Sequence, residues 1–311
     1  MSKYFLRNII GNCMTELGRE NSKVAVVTAD LMGTCRVREF FQEFPGRSFN
    51  VGIAEQNMVS FAAGLAHEGF LPYVFTMAPF LSMRACEQCR TDVAYGHLNV
   101  RLMGTYAGVS GGISGATHWS MEDVAIMCGI PGMTVLEPCD PVEAQKLMAA
   151  SLDFDGPLYI RSTIEPVDAI YDESYPYQIG KASIAREGQD GTFICAGITV
   201  KYACQASESI EQKYGKRVRV VDMHTIKPID RDAAYEAAET GFVVAAQDHN
   251  VFGGLGTQVA QVLAEAGKTC RFKIAGIPDK FTAMAHSAYL YHQFGYDAEG
   301  LEALMMSLMK D

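Results

Sequence analysis

The sequence predicts an α/β protein of two domains, each a mainly parallel sheet flanked by helices, and three observations predict it. Short apolar runs rich in β-branched residues alternate with helical stretches along the chain, and parallel strands joined by helical crossovers need a sheet covered on both faces. The runs fall into two groups separated by EPVDAIYDESYPYQIG (Glu165–Gly180), which has prolines, acids and tyrosines but no apolar period, the composition of a surface linker. Finally, 311 residues exceed the usual size of one hydrophobic core.

Taken in order, KVAVVTAD (Lys23–Asp30) reads as a buried strand and Asn57–His67 as a helix. LPYVFT (Leu71–Thr76) and NVRLMGT (Asn99–Thr105) are strands on either side of a helical MRACEQCRTDVAY, and MTVLEP (Met133–Pro138) and PLYIRS (Pro157–Ser162) continue the series. Beyond the linker, TFICAG (Thr192–Gly197), RVRVVDM (Arg217–Met223) and GFVVAAQD (Gly241–Asp248) are again short strands, and a last one begins near Arg271. The expected division is a first domain over residues 1–165, a linker over 166–183 and a second domain over 184–311. Ligands of such folds bind at the carboxyl ends of the strands. That directs the search to Asp30, Glu55, Phe80 and the loop ahead of His118.

Composition narrows the function. A formal charge of -10 and a pI near 5.2 repel phosphate at long range, which argues against nucleic acid or an anionic membrane as partner. No apolar run approaches the roughly 20 residues needed to span a bilayer, and MSKYFLRNIIGNC lacks the pattern of a signal peptide. A cytoplasmic protein is expected. Nine scattered cysteines read as small buried hydrophobes, and Cys86-x-x-Cys89 has no second pair with which to hold zinc. His224 and His249 lack partners at metal spacing, and Gly253-Gly254-Leu255-Gly256 falls short of a dinucleotide fingerprint. No metal site is assigned to this chain.

The most informative stretch is FNVGIAEQNMVSFAAGLAHEGFLPYVFTMAPFLSMRACEQCR (Phe49–Arg90), in which one acid, Glu55, opens an otherwise apolar helix. Read alone, it is a helix-start carboxylate stabilised by the macrodipole. Together with GTYAGVSGGISGATHWSMEDVAIMCGIPGMTVLEPCDPVEA (Gly104–Ala144), however, the stretch resembles the pyrimidine-binding domain of transketolases and 1-deoxyxylulose-5-phosphate synthases. VDMHTIKPID (Val221–Asp230) and DHNVFGGLG (Asp248–Gly256) are similar to the C-terminal domain of the same group, so the resemblance covers essentially the whole chain.

The resemblance implies a thiamine-diphosphate enzyme. Glu55 falls on the family glutamate that hydrogen-bonds ring nitrogen N1′ of the cofactor's aminopyrimidine, in a dry site. Phe80 falls on the aromatic residue that stacks on that ring, with Met77, Met83 and Asp30 around the same pocket. His118, approached through the glycine-rich Gly108–Gly115, matches a histidine that contacts the oxygens of the sugar donor. Arg7, Thr34 and Arg161 match positions that grip a sugar's terminal phosphate, for which an arginine pair and a hydroxyl are suitable chemistry. Two departures bear on the donor: Ser114 stands where transketolases have an aspartate, and Tyr106 where they have another histidine.

No Gly-Asp-Gly segment occurs in the sequence. In this family that segment holds the diphosphate through Mg²⁺, an ion that needs oxygen ligands and bridges to phosphates. The resemblance therefore implies a split enzyme in which an N-terminal transketolase subunit supplies the diphosphate-binding domain and Mg²⁺, as an α2β2 heterotetramer. The implied reaction moves a two-carbon ketol unit from a ketose, phosphorylated or otherwise anionic, to an aldose. The alternatives are a 1-deoxyxylulose-5-phosphate synthase-like or 2-oxo-acid dehydrogenase beta-type subunit using pyruvate or another 2-oxo acid, and a non-catalytic stabilising subunit.

Overall fold

The structure is a computed structural model and describes residues 3–310. Strands β1 (Val24–Thr28), β2 (Ser48–Asn50), β3 (Leu71–Met77), β4 (Arg101–Thr105), β5 (Thr134–Leu136) and β6 (Leu158–Ser162) precede the linker. Strands β7 (Ser183–Arg186), β8 (Gly191–Cys195), β9 (Val218–Asp222), β10 (Thr225–Lys227), β11 (Phe242–Asn250) and β12 (Arg271–Ile277) follow it. They form a seven-stranded sheet of order β10-β5-β6-β4-β3-β1-β2 and a five-stranded sheet of order β12-β11-β8-β9-β7. Pairing is parallel except for β10 on β5 and β7 on β9, both at sheet edges. Every residue of β1, β3, β4 and β6 is buried, as strands covered on both faces require.

The sheets do not divide where the chain does. β10 comes from beyond the linker, yet it completes the first sheet, and one apolar cluster runs from Val27 and Val74 to Ile194 and Val259 of the second unit. The three strands that sequence patterning does not predict, β2, β7 and β10, have three or four residues each and lie at edges, too short to show a period.

Two local predictions are corrected. The helix expected from Asn57 starts at Glu55, whose acid sits in the first turn, where the helix dipole favours it. The stretch around Cys86 and Cys89 is not a regular α-helix: wide π turns at Phe80–Arg84 and Cys89–Ala94 flank a single α turn, Cys86–Gln88. Such turns are rare and collect at functional sites. The cysteines are all free; burial pushes the Cys13 and Cys128 thiols up to about 12, which leaves them inert near neutral pH.

Candidate active site

The order β2-β1-β3 places the strand-order reversal between β1 and β3, where an open α/β sheet parts to form a crevice. A cavity of about 340 Å³ lies there, walled by residues that follow β1 (Asp30, Leu31), β2 (Ile53, Glu55), β3 (Phe80, Arg84) and β4 (Thr117, His118), with Met77 at the end of β3. Asn50 sets its geometry: its Oδ1 accepts from the backbone N–H groups of Asp30 at 2.9 Å and Gly52 at 3.1 Å, tying the end of β2 to that of β1. Asp30 and Tyr106, at the ends of β1 and β4, both have left-handed backbone with φ of 61° and 64°. For a bulky tyrosine this is a strained conformation, of the kind that clusters at functional sites.

Glu55 is 2% exposed and its Oε1 accepts from Arg84 Nη1 at 2.8 Å. The Arg84 guanidinium also lies over the Phe80 ring, 4.1 Å from its centroid. Phe80 meets His118 edge-on at 5.6 Å, and the His118 Nδ1 is 2.9 Å from the Thr117 hydroxyl. The chemistry on offer is a buried acid, an aromatic face, apolar walls from Ile53, Leu31 and Met77, and an imidazole at the rim. A flat ring with one hydrogen-bonding edge fits that donor set. Arg84 carries no weight in the sequence reading; its signal is the spacing of four residues from Phe80, which puts both on one side of a helical turn.

Of the other predicted residues, Met83 is 48% exposed and does not wall the cavity. It stands one position off the Phe80/Arg84 side of the wide turn. Tyr106 and Ser114 line a separate cavity of about 290 Å³ with Ser110, Glu165 and His286. Arg7 and Thr34 wall neither. Arg7 Nε is buried without a hydrogen-bond partner among the described residues.

Arg161 is a correction. The residue is fully buried, its Nε donates to Asp123 Oδ2 and its Nη1 to Glu137 Oε2, both at 2.8 Å, and its Nη2 donates to the carbonyls of Asp248 and Ser120. Burial alone would lower its pKa, but Asp123 and Glu137 hold it above the ordinary range. It is a structural node at the junction of the two units and has no surface to offer a substrate. Around it Gln247 donates to Glu137 Oε2 at 2.7 Å, Val109 N–H donates to Asp248 Oδ1 at 3.0 Å, and His249, pushed down to about 4 by burial, stays neutral. Ser287 Oγ further donates to Ser110 O. The second unit thus pins the start of the loop that carries His118, and the Asn250 N–H, donating to the Met121 carbonyl at 2.8 Å, pins its end.

Comparison with known proteins shows the family and the fold. Residues 2–165 match the family described as "Transketolase, pyrimidine binding domain", and residues 180–301 match "Transketolase, C-terminal domain". The chain is 38% identical over 302 residues to a 6-deoxy-6-sulfo-D-fructose transketolase subunit of Clostridium sp. (strain MSTE9), covering 96% of this chain and 92% of that one. It is 36% identical over 306 residues to an apulose-4-phosphate transketolase subunit of Phocaeicola vulgatus, covering 98% of this chain and 97% of that one. A solved structure described as "Split gene transketolase, inactive beta4 tetramer" superimposes with a TM-score of 0.89 at 34% identity, over 99% of both chains.

Proposed function

The chain belongs to the transketolase family, and on that premise we propose that it is the subunit of a two-chain enzyme that contributes the pyrimidine half of a thiamine-diphosphate site. The observation that carries the reading is the meeting of Glu55, Phe80 and His118 in one cleft at the strand-order reversal. The bound cofactor would supply a carbanion centre and an electron sink. Glu55 would hydrogen-bond the aminopyrimidine N1′ and share its proton there, in a site dry enough for that bond to orient the ring. Phe80 would stack on the ring face, with Asp30 and Met77 against its rim. His118 would hold the oxygens of the sugar and pass a proton at them.

A partner subunit would carry the diphosphate and Mg²⁺, in keeping with the sequence's lack of a Gly-Asp-Gly segment. A relative described as an inactive tetramer of beta chains supports the view that this half alone does not turn over. The sugars in the relatives' descriptions carry a sulfonate or a phosphate, so we read the donor here as an anionic ketose, with Arg7 and Thr34 for its charged end and Tyr106 and Ser114 for hydroxyls. Among the described residues no helix is long and apolar enough to cross a membrane. The free cysteines suit a reducing compartment, and we place the enzyme in the cytoplasm.

The test is reconstitution. The chain is mixed with thiamine diphosphate, Mg²⁺, an aldose acceptor and a panel of ketose phosphates, ketose sulfonates and pyruvate, with and without the candidate N-terminal subunit. Two-carbon transfer from a sugar only when both chains are present is the expected result. Carbon dioxide release from pyruvate would replace the donor assignment with the synthase-like reading. Turnover unchanged by Glu55→Gln would leave only a stabilising role.

A further inference from the structure

The cleft already contains a flat cation that does what the cofactor ring is asked to do. Arg84 Nη1 bonds the buried Glu55 carboxylate at 2.8 Å, and its guanidinium lies 4.1 Å from the Phe80 ring centroid. A guanidinium is planar, stacks on aromatic faces and presents a hydrogen-bonding edge, the three properties that recommend an aminopyrimidine to the same two residues. The π turn Phe80–Arg84, closed by Ala85 N–H on the Phe80 carbonyl at 3.1 Å, holds the cation on the aromatic residue of its own turn. Unlike the fully buried Arg161, the Arg84 side chain is 48% exposed, so it can swing out to water at little cost in desolvation.

Resting on the cofactor reading above, we infer that Arg84 is a placeholder: it competes with the aminopyrimidine for Glu55 and the Phe80 face, and cofactor binding displaces it. The apparent affinity for the cofactor is then the intrinsic affinity scaled by the fraction of chains in which Arg84 has left the cleft. The residue is neither a catalytic group nor a clamp on the ring. It keeps a buried carboxylate paired until the ring arrives, and so prevents the cost of an unpaired charge.

The test is calorimetric titration of thiamine diphosphate, with Mg²⁺, into the complex of this chain with its partner subunit. Arg84→Met keeps the bulk and removes the charge and the plane. It should bind the cofactor about five- to tenfold more tightly than wild type, the combined worth of a half-exposed ion pair and one cation–π contact. Arg84→Lys, which pairs with Glu55 but cannot stack as a plane, should fall between the two. The gain from Arg84→Met should shrink in a Glu55→Gln background. As a second readout, phenylglyoxal should modify Arg84 faster when the complex is saturated with cofactor. Weaker or unchanged binding by Arg84→Met, or slower modification on saturation, overturns the placeholder while leaving the cofactor reading intact. No binding by any form, wild type included, overturns the cofactor reading and this inference with it.

Discussion

Two buried acid–arginine arrangements lie in this molecule, and they are built for opposite purposes. At the junction, Arg161 is inaccessible and four of its donors are used, by Asp123, Glu137 and two backbone carbonyls. In the cleft, Glu55 is as buried as Glu137, but its partner Arg84 is half in water and rests on the edge of a cavity. The acids look alike; the counter-ions differ. A charge whose partner is locked inside the fold is part of the frame, and one whose partner can leave is available to a ligand.

The comparison breaks most readily at the junction. Arg161→Met leaves Asp123 and Glu137 buried with no cation, a change that costs about 3–5 kcal/mol and roughly 10 °C in melting temperature. Circular dichroism on heating measures it, and a wild-type melting curve would return Arg161 to the substrate. The mirror-image change, Glu55→Gln, should leave the melting temperature within about 2 °C, because the amide still accepts from Arg84, whose own charge is half in water. It should cut sugar transfer by the two-chain enzyme by about 10²-fold or more, since the proton shared with the ring is lost. Full activity with a collapsed melting temperature would reverse the assignment of the two sites.

The same contrast explains what was legible in the sequence. The alternation of runs gives both parallel sheets, because strands buried on both faces are continuous apolar words such as VAVVT. Glu55, Phe80 and His118 are legible because each follows a strand and each matches a family position. Arg161 is misleading for the same reason: it too ends a strand, and a spacing cannot tell which way a side chain's partners lie. Asp123, Glu137 and Gln247, which decide the matter, come from distant parts of the chain. β10 is hidden likewise, since three residues crossing from one unit to the other's sheet leave no periodic trace.

His118 belongs to the cleft by position and to the junction by support, so it tests how the two regions are connected. His118→Ala should lower kcat/KM for the ketose by about 10²-fold, the low end of what a positioned proton-transfer group contributes, with cofactor affinity and melting temperature unchanged. A loss of cofactor affinity in a calorimetric titration would mean instead that the imidazole packs the Phe80 ring into place, as their 5.6 Å edge contact allows.

The smallest effect is one of pH, and at the junction it falls to Asp248. Burial pushes the Asp248 carboxyl up to about 7, against the pull of the Val109 N–H, Arg161 and Tyr296, and its Oδ2 has no hydrogen-bond partner. A carboxyl raised in the folded state binds a proton there that the unfolded chain releases near pH 4. Its stabilisation is therefore complete below that pH and is lost as pH rises to about 7, after which the curve is flat. Over pH 5 to pH 8 Asp248 should by itself lower the melting temperature by roughly 2–4 °C, against the rise that His249 and His224, both pushed down to about 4 by burial, give as pH climbs to about 6.5. Asp248→Asn, whose amide copies the protonated form and still accepts from Val109 and Tyr296, should remove that contribution. Asp222, also raised to about 7 by burial, would leave a residual slope for Asp222→Asn to remove. A pH profile of Asp248→Asn parallel to that of wild type would mean that Asp248 enters the folded state ionised and that Arg161 holds three carboxylates rather than two.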